Sequence, residues 1–566
     1  MRALLGPERL KFMNKRILIV GGVAGGASCA ARARRLDEQA EIIIFDKGPD
    51  VSFANCGLPY YVGNVIRQES SLTVASPDTF RQRFNIEVRV LNEVLAIDRL
   101  ASEIEVEELT SGRVYRERYD ALVLSPGAAP VRPPLPGIEL PGIFTLRTIP
   151  DSREIREWIE QKQARSAVVV GGGFIGLEMA ENLVQRGLQV TVLEMMNQVL
   201  PPLDPEMAEP VQERLTLHGV KLALGDGVAA FERGAGDRII VRSKNGISHE
   251  SDLVILAIGV RPETALAKAA GLVIGERGGI RVDSQMSTSD LKIWAVGDAV
   301  EVRDFVTGQP ALIPLAGPTN RQGRVAADAI CGRDSAFRGV QGTAICSVFG
   351  LAVAITGASE KTLKRAGIAD YEVAYLHPAQ HAAYFPGAKP IHIKLLFRRT
   401  DGTILGAQAA GEEGVDKRID VIATAIQKAG TVFDLEEAEL CYAPQFGAAK
   451  DPVNMAGMIA GNVLRGDLQN ASWNSLGANG FLLLDVRDQD EFECGHIPSA
   501  ENIPLPELRG RLAGLQKGRE IRLYCGVGQR AYYAGRLLKQ HGFRVQNLPG
   551  GYQTYVSFRN AGLAKA

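Results

Sequence analysis

The chain has 566 residues, of which 46% are hydrophobic and 23% are charged, and its formal net charge is -1. This length provides for about three to five domains with cores of their own, in a globular protein of ordinary composition. The near-zero net charge argues against nucleic acids and anionic membranes as partners, so small ligands are favoured.

The apolar segments, the N-terminal segment and the cysteine content bear on where in the cell the protein acts. No apolar run approaches the ~18 residues that a membrane helix needs, and the opening MRALLGPERLKFM lacks the apolar core of a signal peptide. We therefore predict a cytoplasmic protein. Met13 directly precedes NKRILIVGG, so we assign residues 1–12 no role. Seven cysteines in a cytosolic chain argue against a disulfide framework and leave catalysis, redox chemistry or burial.

Two stretches follow the pattern strand, glycine-rich turn, helix, strand. Residues 16–46 contain RILIV, GGVAGG, ASCAARARRL and EIIIFD, and residues 166–194 contain AVVV, GGGFIG, LEMAENLVQRG and QVTVLE. An apolar strand that leads into a glycine turn and a helix is typical of dinucleotide binding. The pattern predicts an α/β protein with two nucleotide-binding folds.

The second turn has the full GxGxxG spacing at Gly171, Gly173 and Gly176. These glycines allow the tight turn, the approach of a pyrophosphate and the contact of helix with strand. Glu194 follows 18 positions after Gly176, where a carboxylate accepts ribose hydroxyls and repels a 2′-phosphate. NADH is favoured, NADPH stays possible, and a turn without a ligand is the alternative.

The first turn departs from this rule, because Val23 stands between Gly21 and Gly26 where the middle glycine is usual. Asp46 closes the next strand 20 positions after Gly26 and is placed for an adenosine ribose. Asp298 ends the strand of WAVGDA, where its carboxylate suits a ribityl chain. Two nucleotide folds with a late Gly-Asp strand indicate a flavin enzyme supplied by a nicotinamide.

Residues 14–456 resemble the two-dinucleotide-binding flavoprotein disulfide reductases, and within them the coenzyme A-disulfide reductase branch. The segments that carry this resemblance are GGVAGGAS, SFANCGLPY, SPGA, GGGFIGLE, WAVGDA, HAAYFPGA and CYAPQFGAAKDPVNM. The departure at Val23 fits the glycine pattern of that branch. The resemblance implies a homodimer in which residues 334–456 form the interface and complete the partner's active site.

The resemblance also assigns residues to ligands. For FAD it implies Gly21, Gly22, Gly26, Asp46, Gly127 and Asp298. For coenzyme A it implies Ser28, Arg32, Arg35, Ser52, Asn55 and Lys450. Arg32 and Arg35 lie three apart on one helix and share a face, although a solvated basic face is the alternative. Tyr384 and Tyr442 resemble the pair that donates hydrogen bonds to the leaving thiolate, and core packing is their alternative.

SFANCGLPYYVG contains one cysteine, Cys56. A dithiol reductase of this superfamily has CxxxxC here, but positions 51 and 61 are Val51 and Tyr61, so the sulfur that reacts with Cys56 comes from elsewhere. Beside a flavin and near a helix start, the thiolate of Cys56 is the attacking species. Burial is the default for four others, Cys29, Cys331, Cys346 and Cys494. Cys441 precedes Tyr442, and its neighbouring residues do not indicate a function for it.

Residues 481–555 resemble a single-domain rhodanese through FLLLDVRDQDEFECGHIPSAENIP, RLYCGVGQRAYYAGRLL and the later PGG. Cys525 ends a strand and opens the loop CGVGQR, where inward amides, a helix start and Arg530 favour a thiolate or persulfide. Cys525 is therefore the predicted sulfur carrier. The expected supporting salt bridges involve Asp485, Arg487, Glu491 and His496. A phosphatase of similar architecture is the alternative.

These patterns divide the chain into five parts. We predict an FAD-binding domain at 14–149 and 258–333, an NAD-binding domain at 150–257, an α+β dimerisation domain at 334–456, a linker at 457–474 and an α/β rhodanese domain at 475–566.

The predicted function is NADH-dependent reduction of coenzyme A persulfide or polysulfide, and of coenzyme A disulfide, with release of hydrosulfide. A plain coenzyme A-disulfide reductase is the first alternative. An NADH oxidase or peroxidase that cycles Cys56 through sulfenic acid is the second. A sulfur-binding sensor or delivery scaffold with negligible turnover is a third. No metal is expected.

Overall fold

The structure is a computed structural model that describes residues 15–478 and 480–563. The described chain forms two compact units, the first from residues up to 134 with 138–164 and 253–340, and the second from 135–137, 165–252 and 341 onward. Among the described residues, no helix combines the length and apolar character that crossing a membrane requires. The extension at residues 1–12 lies outside the described residues.

The first unit begins with the predicted strand, turn, helix and strand. The central residues of RILIV are fully buried, as in a parallel sheet covered on both faces. Its first elements are β1 (Arg16–Val20), α1 (Ala24–Leu36), β2 (Glu41–Asp46), α2 (Leu58–Val62), α3 (Pro77–Phe84), β3 (Glu87–Val90), β4 (Asn92–Asp98), β5 (Glu103–Glu108), β6 (Arg113–Arg118), β7 (Ala121–Leu124), β8 (Ala128–Pro130), β9 (Ile143–Phe144) and α4 (Ile149–Gln161).

Residues 165–252 repeat the pattern in the second unit. Its elements there are β10 (Ser166–Val170), α5 (Phe174–Gln185), β11 (Gln189–Glu194), α6 (Pro205–Leu217), β12 (Lys221–Leu224), β13 (Val228–Arg233), β14 (Ile239–Ser243) and β15 (Ser248–Ser251). Strands β10, β11 and β12 pair in parallel, and β13, β14 and β15 form an antiparallel meander.

Residues 253–340 return the chain to the first unit. The elements are β16 (Leu253–Leu256), β17 (Val260–Pro262), α7 (Ala265–Ala269), β18 (Ile280–Arg281), β19 (Ile293–Ala295), β20 (Val300–Arg303), β21 (Pro310–Ala311) and α8 (Ala316–Ile330). Strand β19 completes a five-stranded parallel sheet in the order β19-β7-β1-β2-β3. The late strand that carries Asp298 thus joins the sheet of the first glycine turn.

The predicted boundary at residue 150 is wrong for helix α4, because this helix belongs to the first unit. Arg153 forms an ion pair with Glu69 at 2.6 Å. The guanidinium of Arg156 lies 4.2 Å from the ring centroid of Tyr61. These contacts hold α4 on helix α2 and on the turn at Glu69–Leu72. The spacing of strands in the sequence does not reveal such contacts.

Residues 341–464 form an antiparallel-sheet domain within the second unit. Its elements are β22 (Ala344–Val348), β23 (Leu351–Gly357), α9 (Glu360–Arg365), β24 (Glu372–Leu376), β25 (Ile391–Phe397), β26 (Ile404–Gly411), α10 (Val415–Gln427), α11 (Val432–Glu436) and α12 (Pro452–Leu464). The strand order is β22-β23-β26-β25-β24. An antiparallel sheet with accompanying helices thus follows the parallel α/β elements of the earlier chain.

The C-terminal domain is a small parallel α/β fold in the second unit. Its elements are β27 (Gln469–Asn470), β28 (Phe481–Asp485), α13 (Gln489–Glu493), β29 (Glu501–Asn502), α14 (Leu505–Arg511), β30 (Glu520–Tyr524), α15 (Gln529–Gln540), β31 (Val545–Asn547) and α16 (Gly551–Asn560). The five strands pair in the order β27-β31-β30-β28-β29.

The predicted linker at 457–474 is wrong. Helix α12 continues to Leu464, and strand β27 already belongs to the C-terminal sheet. Trp473 is buried, and its indole nitrogen donates to the carbonyl of Pro549 at 3.2 Å. The small residues that suggested a linker serve close packing instead, since a Cβ at Gly457 would lie 2.3 Å from the backbone nitrogen of Glu436.

Candidate functional site

The first glycine turn leaves no room for side chains. Gly21 has a φ of +94°, and a Cβ atom there would lie 2.1 Å from the carbonyl oxygen of Ser125. A Cβ at Gly26 would lie 1.9 Å from the carbonyl oxygen of Gly21, so helix α1 packs directly on the turn. Val23 is the N-cap residue of that helix. A close backbone turn followed by a helix N-terminus fits the diphosphate of a dinucleotide.

Asp46, at the end of β2, is bonded to the same turn. Its Oδ2 accepts from the amide of Gly22 at 2.8 Å, and its Oδ1 accepts from the amide of Gly48 at 2.9 Å. Burial raises the pKa of this carboxyl group, and the two amides act against that rise. Because each carboxylate oxygen has two lone pairs, both oxygens keep acceptor capacity for ribose hydroxyls.

Asp298 follows strand β19 on a sharp turn. Gly297 has a φ of +87°, and its amide donates to the side-chain oxygen of Gln322 at 2.7 Å. Asp298 accepts from the hydroxyl of Thr319, near the start of α8, at 3.3 Å. Burial raises the pKa of Asp298. A carboxyl group held beside a helix start suits the hydroxyl groups of a sugar-alcohol chain.

Arg147 joins two loops of this site and was missed by sequence reasoning. Its guanidinium donates to the carbonyl of Pro126 at 3.0 Å and pairs with Glu263 at 2.6 Å. Pro126 precedes Gly127, whose φ of +74° fixes the predicted cofactor loop. Burial alone would raise the pKa of Glu263, but the hydrogen bond from Arg147 makes the net shift downward. Glu263 lies 116 positions from Arg147, so no local motif reveals the pair.

Cys56 lies in the exposed 3-10 turn Asn55–Gly57, directly before helix α2. The segment is bonded to the first glycine turn, because the amide of Ser52 donates to the carbonyl of Gly22 at 2.9 Å. Ser52 adopts a left-handed conformation with a φ of +48°. A thiol that is exposed and attached to a nucleotide turn can meet both a cofactor and a ligand from solvent.

The predicted coenzyme A residues of α1 have different surroundings. Ser28 hydrogen-bonds Asn320. Arg32 pairs with Asp328 of α8 at 2.7 Å, so it is not part of a solvated basic face. Arg35 is exposed. Their assignment to coenzyme A stays a prediction.

The second glycine turn has the same construction as the first. Gly171 has a φ of +109°, and no described residue lies within 4 Å of a Cβ built on Gly173, so this turn faces open space. Glu194 accepts from the amide of Gly172 at 2.7 Å and from the amide of Met196 at 2.8 Å. Each oxygen again retains acceptor capacity. The geometry fits a second dinucleotide whose ribose lies at Glu194.

Tyr384 and Tyr442 meet although 58 positions separate them, with their hydroxyl oxygens 2.9 Å apart. The alternative interpretation, in which both tyrosines pack in the core, is wrong, since Tyr384 is 75% exposed and Tyr442 is 49% exposed. The hydrogen bond to Tyr442 raises the pKa of Tyr384. Each hydroxyl has one proton, so the hydroxyl that accepts this bond keeps its own O–H for an anion. Lys450 is exposed in the same domain.

Cys525 lies at the end of β30 and is 1% exposed. Its Sγ accepts from the amide of Gly528 at 3.2 Å. Gly528, with a φ of +104°, is the N-cap residue of α15. The carbonyl of Cys525 accepts from the amide of Tyr552 at 2.7 Å. The amide of Gly528 is thus a neutral donor to a sulfur anion.

Arg530 is largely committed to carboxylates. It forms two hydrogen bonds with Glu491, at 2.6 and 2.7 Å, and a third with Asp488 at 3.2 Å. The hydrogen bond with Glu491 is the main cause that raises the pKa of Arg530. The predicted help of Arg530 to an anion on Cys525 is thus weakened by two neighbouring negative charges.

The supporting salt bridges of this domain form without His496. Arg487 pairs with Asp485 at 2.7 Å, and both are buried. The guanidinium of Arg487 also lies 4.3 Å from the ring centroid of Tyr552. His496 instead stacks on Phe492 with ring centroids 3.9 Å apart.

The remaining cysteines are only partly as predicted. Cys29 and Cys346 are buried, and burial raises the pKa of Cys346 to about 12. Cys331 is half-buried. Burial is wrong for Cys494, which is exposed at the end of α13, as Cys441 is in the antiparallel-sheet domain.

The two glycine turns, the late Asp298 strand and the thiol beside the first turn define a flavoprotein reductase with two dinucleotide folds. Residues 15–319 match the family described as pyridine nucleotide-disulphide oxidoreductase, and residues 343–451 match its dimerisation domain. Residues 469–557 match the rhodanese-like domain. The chain belongs to the pyridine nucleotide-disulphide oxidoreductase family and carries a C-terminal rhodanese domain.

Three known proteins illustrate the relationship. A coenzyme A disulfide reductase of Staphylococcus haemolyticus is 34% identical over 447 residues, which cover 79% of this chain and 99% of that protein. The crystal structure of reduced Bacillus anthracis CoADR-RHD has a TM-score of 0.94 and 48% identity, and the match covers 96% of this chain and 98% of that one. A NAD-dependent persulfide reductase from A. fulgidus has a TM-score of 0.89 and 37% identity, with 95% and 100% covered.

These findings confirm the predicted fold class, with FAD- and NAD-binding Rossmann-like domains, a dimerisation domain and a rhodanese domain. The chain is an oxidoreductase that uses FAD and NADH. Both glycine turns and their acidic partners fit these cofactors.

Proposed function

We propose that this protein uses NADH to reduce coenzyme A persulfide or polysulfide, with release of hydrosulfide. The proposal rests on two thiols of the same chain that have different surroundings. Cys56 is exposed and its segment is bonded to the FAD turn, whereas Cys525 is buried and its sulfur accepts from the amide of Gly528. The persulfide reductase that resembles the chain over 95% of its length supports the same reading.

The rhodanese domain loads the sulfur. The thiolate of Cys525 attacks the outer sulfur of a persulfide donor, the donor leaves as a thiol, and Cys525 becomes a persulfide. The amide of Gly528 stabilises the sulfur anion without adding a charge. The thiolate of coenzyme A then takes the outer sulfur, which gives coenzyme A persulfide and returns Cys525 to its thiolate.

Cys56 carries out the reductive half of the reaction. Its thiolate attacks the inner sulfur of coenzyme A persulfide, hydrosulfide leaves, and a mixed disulfide joins Cys56 to coenzyme A. Bound FAD supplies the electron pair that NADH delivers as hydride. Two electrons cleave the mixed disulfide, so the Cys56 thiolate is restored and the coenzyme A thiolate leaves and takes up a proton. The net reaction converts NADH and coenzyme A persulfide into NAD⁺, coenzyme A and hydrosulfide.

Other residues bind and orient the substrate. The hydrogen-bonded pair of Tyr384 and Tyr442, with hydroxyl oxygens 2.9 Å apart, supplies an O–H donor to the leaving coenzyme A thiolate. Ser28, Arg32, Arg35, Ser52, Asn55 and Lys450 contact coenzyme A. The matched dimerisation domain supports a homodimer.

Three serine variants test the proposal. Cys56→Ser abolishes NADH-driven hydrosulfide release and retains bound flavin. Cys525→Ser retains the reduction of preformed coenzyme A persulfide but loses sulfur loading from other donors. Cys494→Ser is the matched control, since Cys494 is also an exposed cysteine, and it retains both activities. Hydrosulfide release by Cys56→Ser at the wild-type rate rejects the proposal.

Reduction of coenzyme A disulfide is a second candidate activity of the same site. The hydrogen-bonded pair of Tyr384 and Tyr442 favours it, because a coenzyme A thiolate leaves in both reactions. Hydrosulfide formation, coenzyme A disulfide loss and oxygen consumption, measured side by side under NADH, separate these two reactions from an oxidase. Absence of NADH consumption with each substrate identifies a sensor or scaffold.

A further inference from the structure

Strands β24 and β25 present polar pairs on one face of the antiparallel sheet. Tyr375 is the cross-strand partner of Lys394. Because side chains alternate along a strand, His377 and His392 continue this face two residues further on. Their Nδ1 atoms lie 2.7 Å apart. The second pair therefore forms a hydrogen bond across the end of the strand pair.

His377 also contacts the rhodanese domain. Its Nε2 lies 2.7 Å from the hydroxyl oxygen of Thr554 in α16, and Thr554 is 2% exposed. A Cβ at Gly550 would lie 2.0 Å from that oxygen and 3.0 Å from Nε2 of His377. Gly550, with a φ of +75°, thus makes room for this contact between two domains.

The same turn of α16 supports the sulfur-carrier loop. The amide of Tyr552 donates to the carbonyl of Cys525 at 2.7 Å, and the amide of Gln553 donates to the carbonyl of Gly526 at 3.0 Å. Thr554 is the next residue. One short stretch of helix therefore binds the catalytic loop through its amides and the dimerisation domain through a side chain.

Burial favours the neutral form of both histidines. Burial is the main cause that lowers the pKa of His377 to about 3, and burial also lowers the pKa of His392. The neighbouring Glu206 does not reverse these shifts, since it bonds with Tyr375 and Lys394. In this neutral form one Nδ1 donates to the other, and the hydroxyl of Thr554 donates or accepts to match Nε2 of His377.

We propose that His377 is a positioning residue for Cys525. It holds Thr554, and through it the first turn of α16, so that the carbonyls of Cys525 and Gly526 stay fixed and the loop amides point at the sulfur. This inference rests on the proposed function only in that Cys525 is the sulfur carrier.

The test uses the full-length, FAD-loaded protein and the variants Thr554→Val and Thr554→Ser. Thiosulfate donates its outer sulfur to Cys525 and leaves as sulfite, and cyanide removes that sulfur as thiocyanate, so thiocyanate formation reports on Cys525 without NADH. Thr554→Val, which loses the hydroxyl, lowers this rate about tenfold because the loop is misplaced. Thr554→Ser keeps the hydroxyl and restores the rate. NADH-driven reduction of coenzyme A disulfide, which does not use Cys525, stays unchanged in both variants and shows that the fold is intact.

His377→Leu gives a second measurement from the other side of the bond, with the same loss of thiocyanate formation. Wild-type thiocyanate formation by Thr554→Val, or an equal loss in Thr554→Ser, overturns the inference. A failure of the proposed function is distinguishable, because it appears as absence of NADH-driven hydrosulfide release by the wild-type protein, whereas the thiocyanate comparison does not depend on NADH.

Discussion

The carboxylate of Asp204 lies 2.8 Å from the ammonium group of Lys394, and both side chains are buried. Asp204 is the N-cap residue of α6 in the NAD-binding domain, and Lys394 lies on β25 of the dimerisation domain. Glu206 and Glu360 also pair with Lys394. These three carboxylates are close enough to share a metal ion, but the lysine ammonium lies among them. The ion pairs of Lys394 therefore connect the NAD-binding domain with the dimerisation domain.

Removing the cation deprives the buried carboxylates of Asp204 and Glu206 of their ion-pair partner, so Lys394→Met lowers the free energy of unfolding by ~3–5 kcal/mol. Urea denaturation followed by fluorescence measures this change. Lys364→Met is the matched control, since Lys364 also pairs with Glu360 but is 64% exposed. Its effect is below about 1 kcal/mol. Equal stability of the two variants would contradict the assignment.

The ion pairs of Lys394 also make the free energy of unfolding depend on pH. Burial alone would raise the pKa values of Asp204 and Glu360, but the ammonium of Lys394 outweighs burial, and both net shifts are downward. A carboxyl group with a lowered folded pKa stabilises the protein above its unfolded pKa, and that contribution is lost as the pH falls through the folded pKa. The stability difference between wild type and Lys394→Met therefore narrows below about pH 4–5. A difference that is constant from pH 7 to 3 refutes this explanation.

We expect Glu194 to control the choice between NADH and NADPH. Glu194→Gln keeps an acceptor oxygen for a backbone amide but removes the charge that repels a 2′-phosphate, so the kcat/KM ratio of NADH to NADPH falls about tenfold. Steady-state reduction of coenzyme A disulfide with each cofactor measures the ratio. Glu250→Gln, a surface change on β15 of the same domain, leaves it unaltered. An unchanged ratio in Glu194→Gln removes Glu194 from cofactor selection.

Arg530 is held by Glu491 and Asp488, so the rhodanese loop offers little net positive charge to a dianionic donor. Glu491→Gln frees part of this charge and raises the kcat/KM for thiosulfate relative to a less charged persulfide donor, by about threefold to tenfold. Thiocyanate formation from each donor gives the ratio. Glu493→Gln on the same helix serves as the control, and an equal ratio in all three proteins contradicts the role given to Glu491.

We expect Tyr384 and Tyr442 to act together in the reduction of coenzyme A disulfide. Because their hydroxyls are hydrogen-bonded to each other, Tyr384→Phe and Tyr442→Phe each lower kcat for coenzyme A disulfide, and the double variant loses less than the product of the two effects. The rates of the wild type, the two single variants and the double variant, measured at saturating NADH, form a double-mutant cycle. Independent effects of the two substitutions argue against a shared donor pair.

Local patterns were sufficient for the nucleotide folds. The positions of Gly171, Gly173 and Glu194 within one strand, turn, helix and strand specify a turn and an acid that meet in space. The loop of Cys525 was recognisable for the same reason, since its strand, glycines and helix are adjacent in the sequence. Tyr384 and Tyr442 depended on family resemblance, because 58 positions separate them.

Contacts between distant residues lay beyond local patterns. Lys394 and Asp204 come from different domains, and nothing near either residue shows that a buried lysine meets three carboxylates. His377 and Thr554 are 177 positions apart, and each reads as an ordinary polar residue in its own segment. The error at residues 457–474 has a similar cause, since small residues suit both a flexible chain and tightly packed helices.

The first strand of the rhodanese domain, β27, lies before residue 475. This position determines where a fragment for the isolated domain has to begin. A fragment that begins at residue 475 lacks both β27, which lies at the edge of the sheet beside β31, and the buried indole of Trp473. Its new edge would have open backbone hydrogen-bonding groups, and such edges promote aggregation. A fragment that begins before Gln469 retains this protection and is the one to express for isolated sulfur-transfer work.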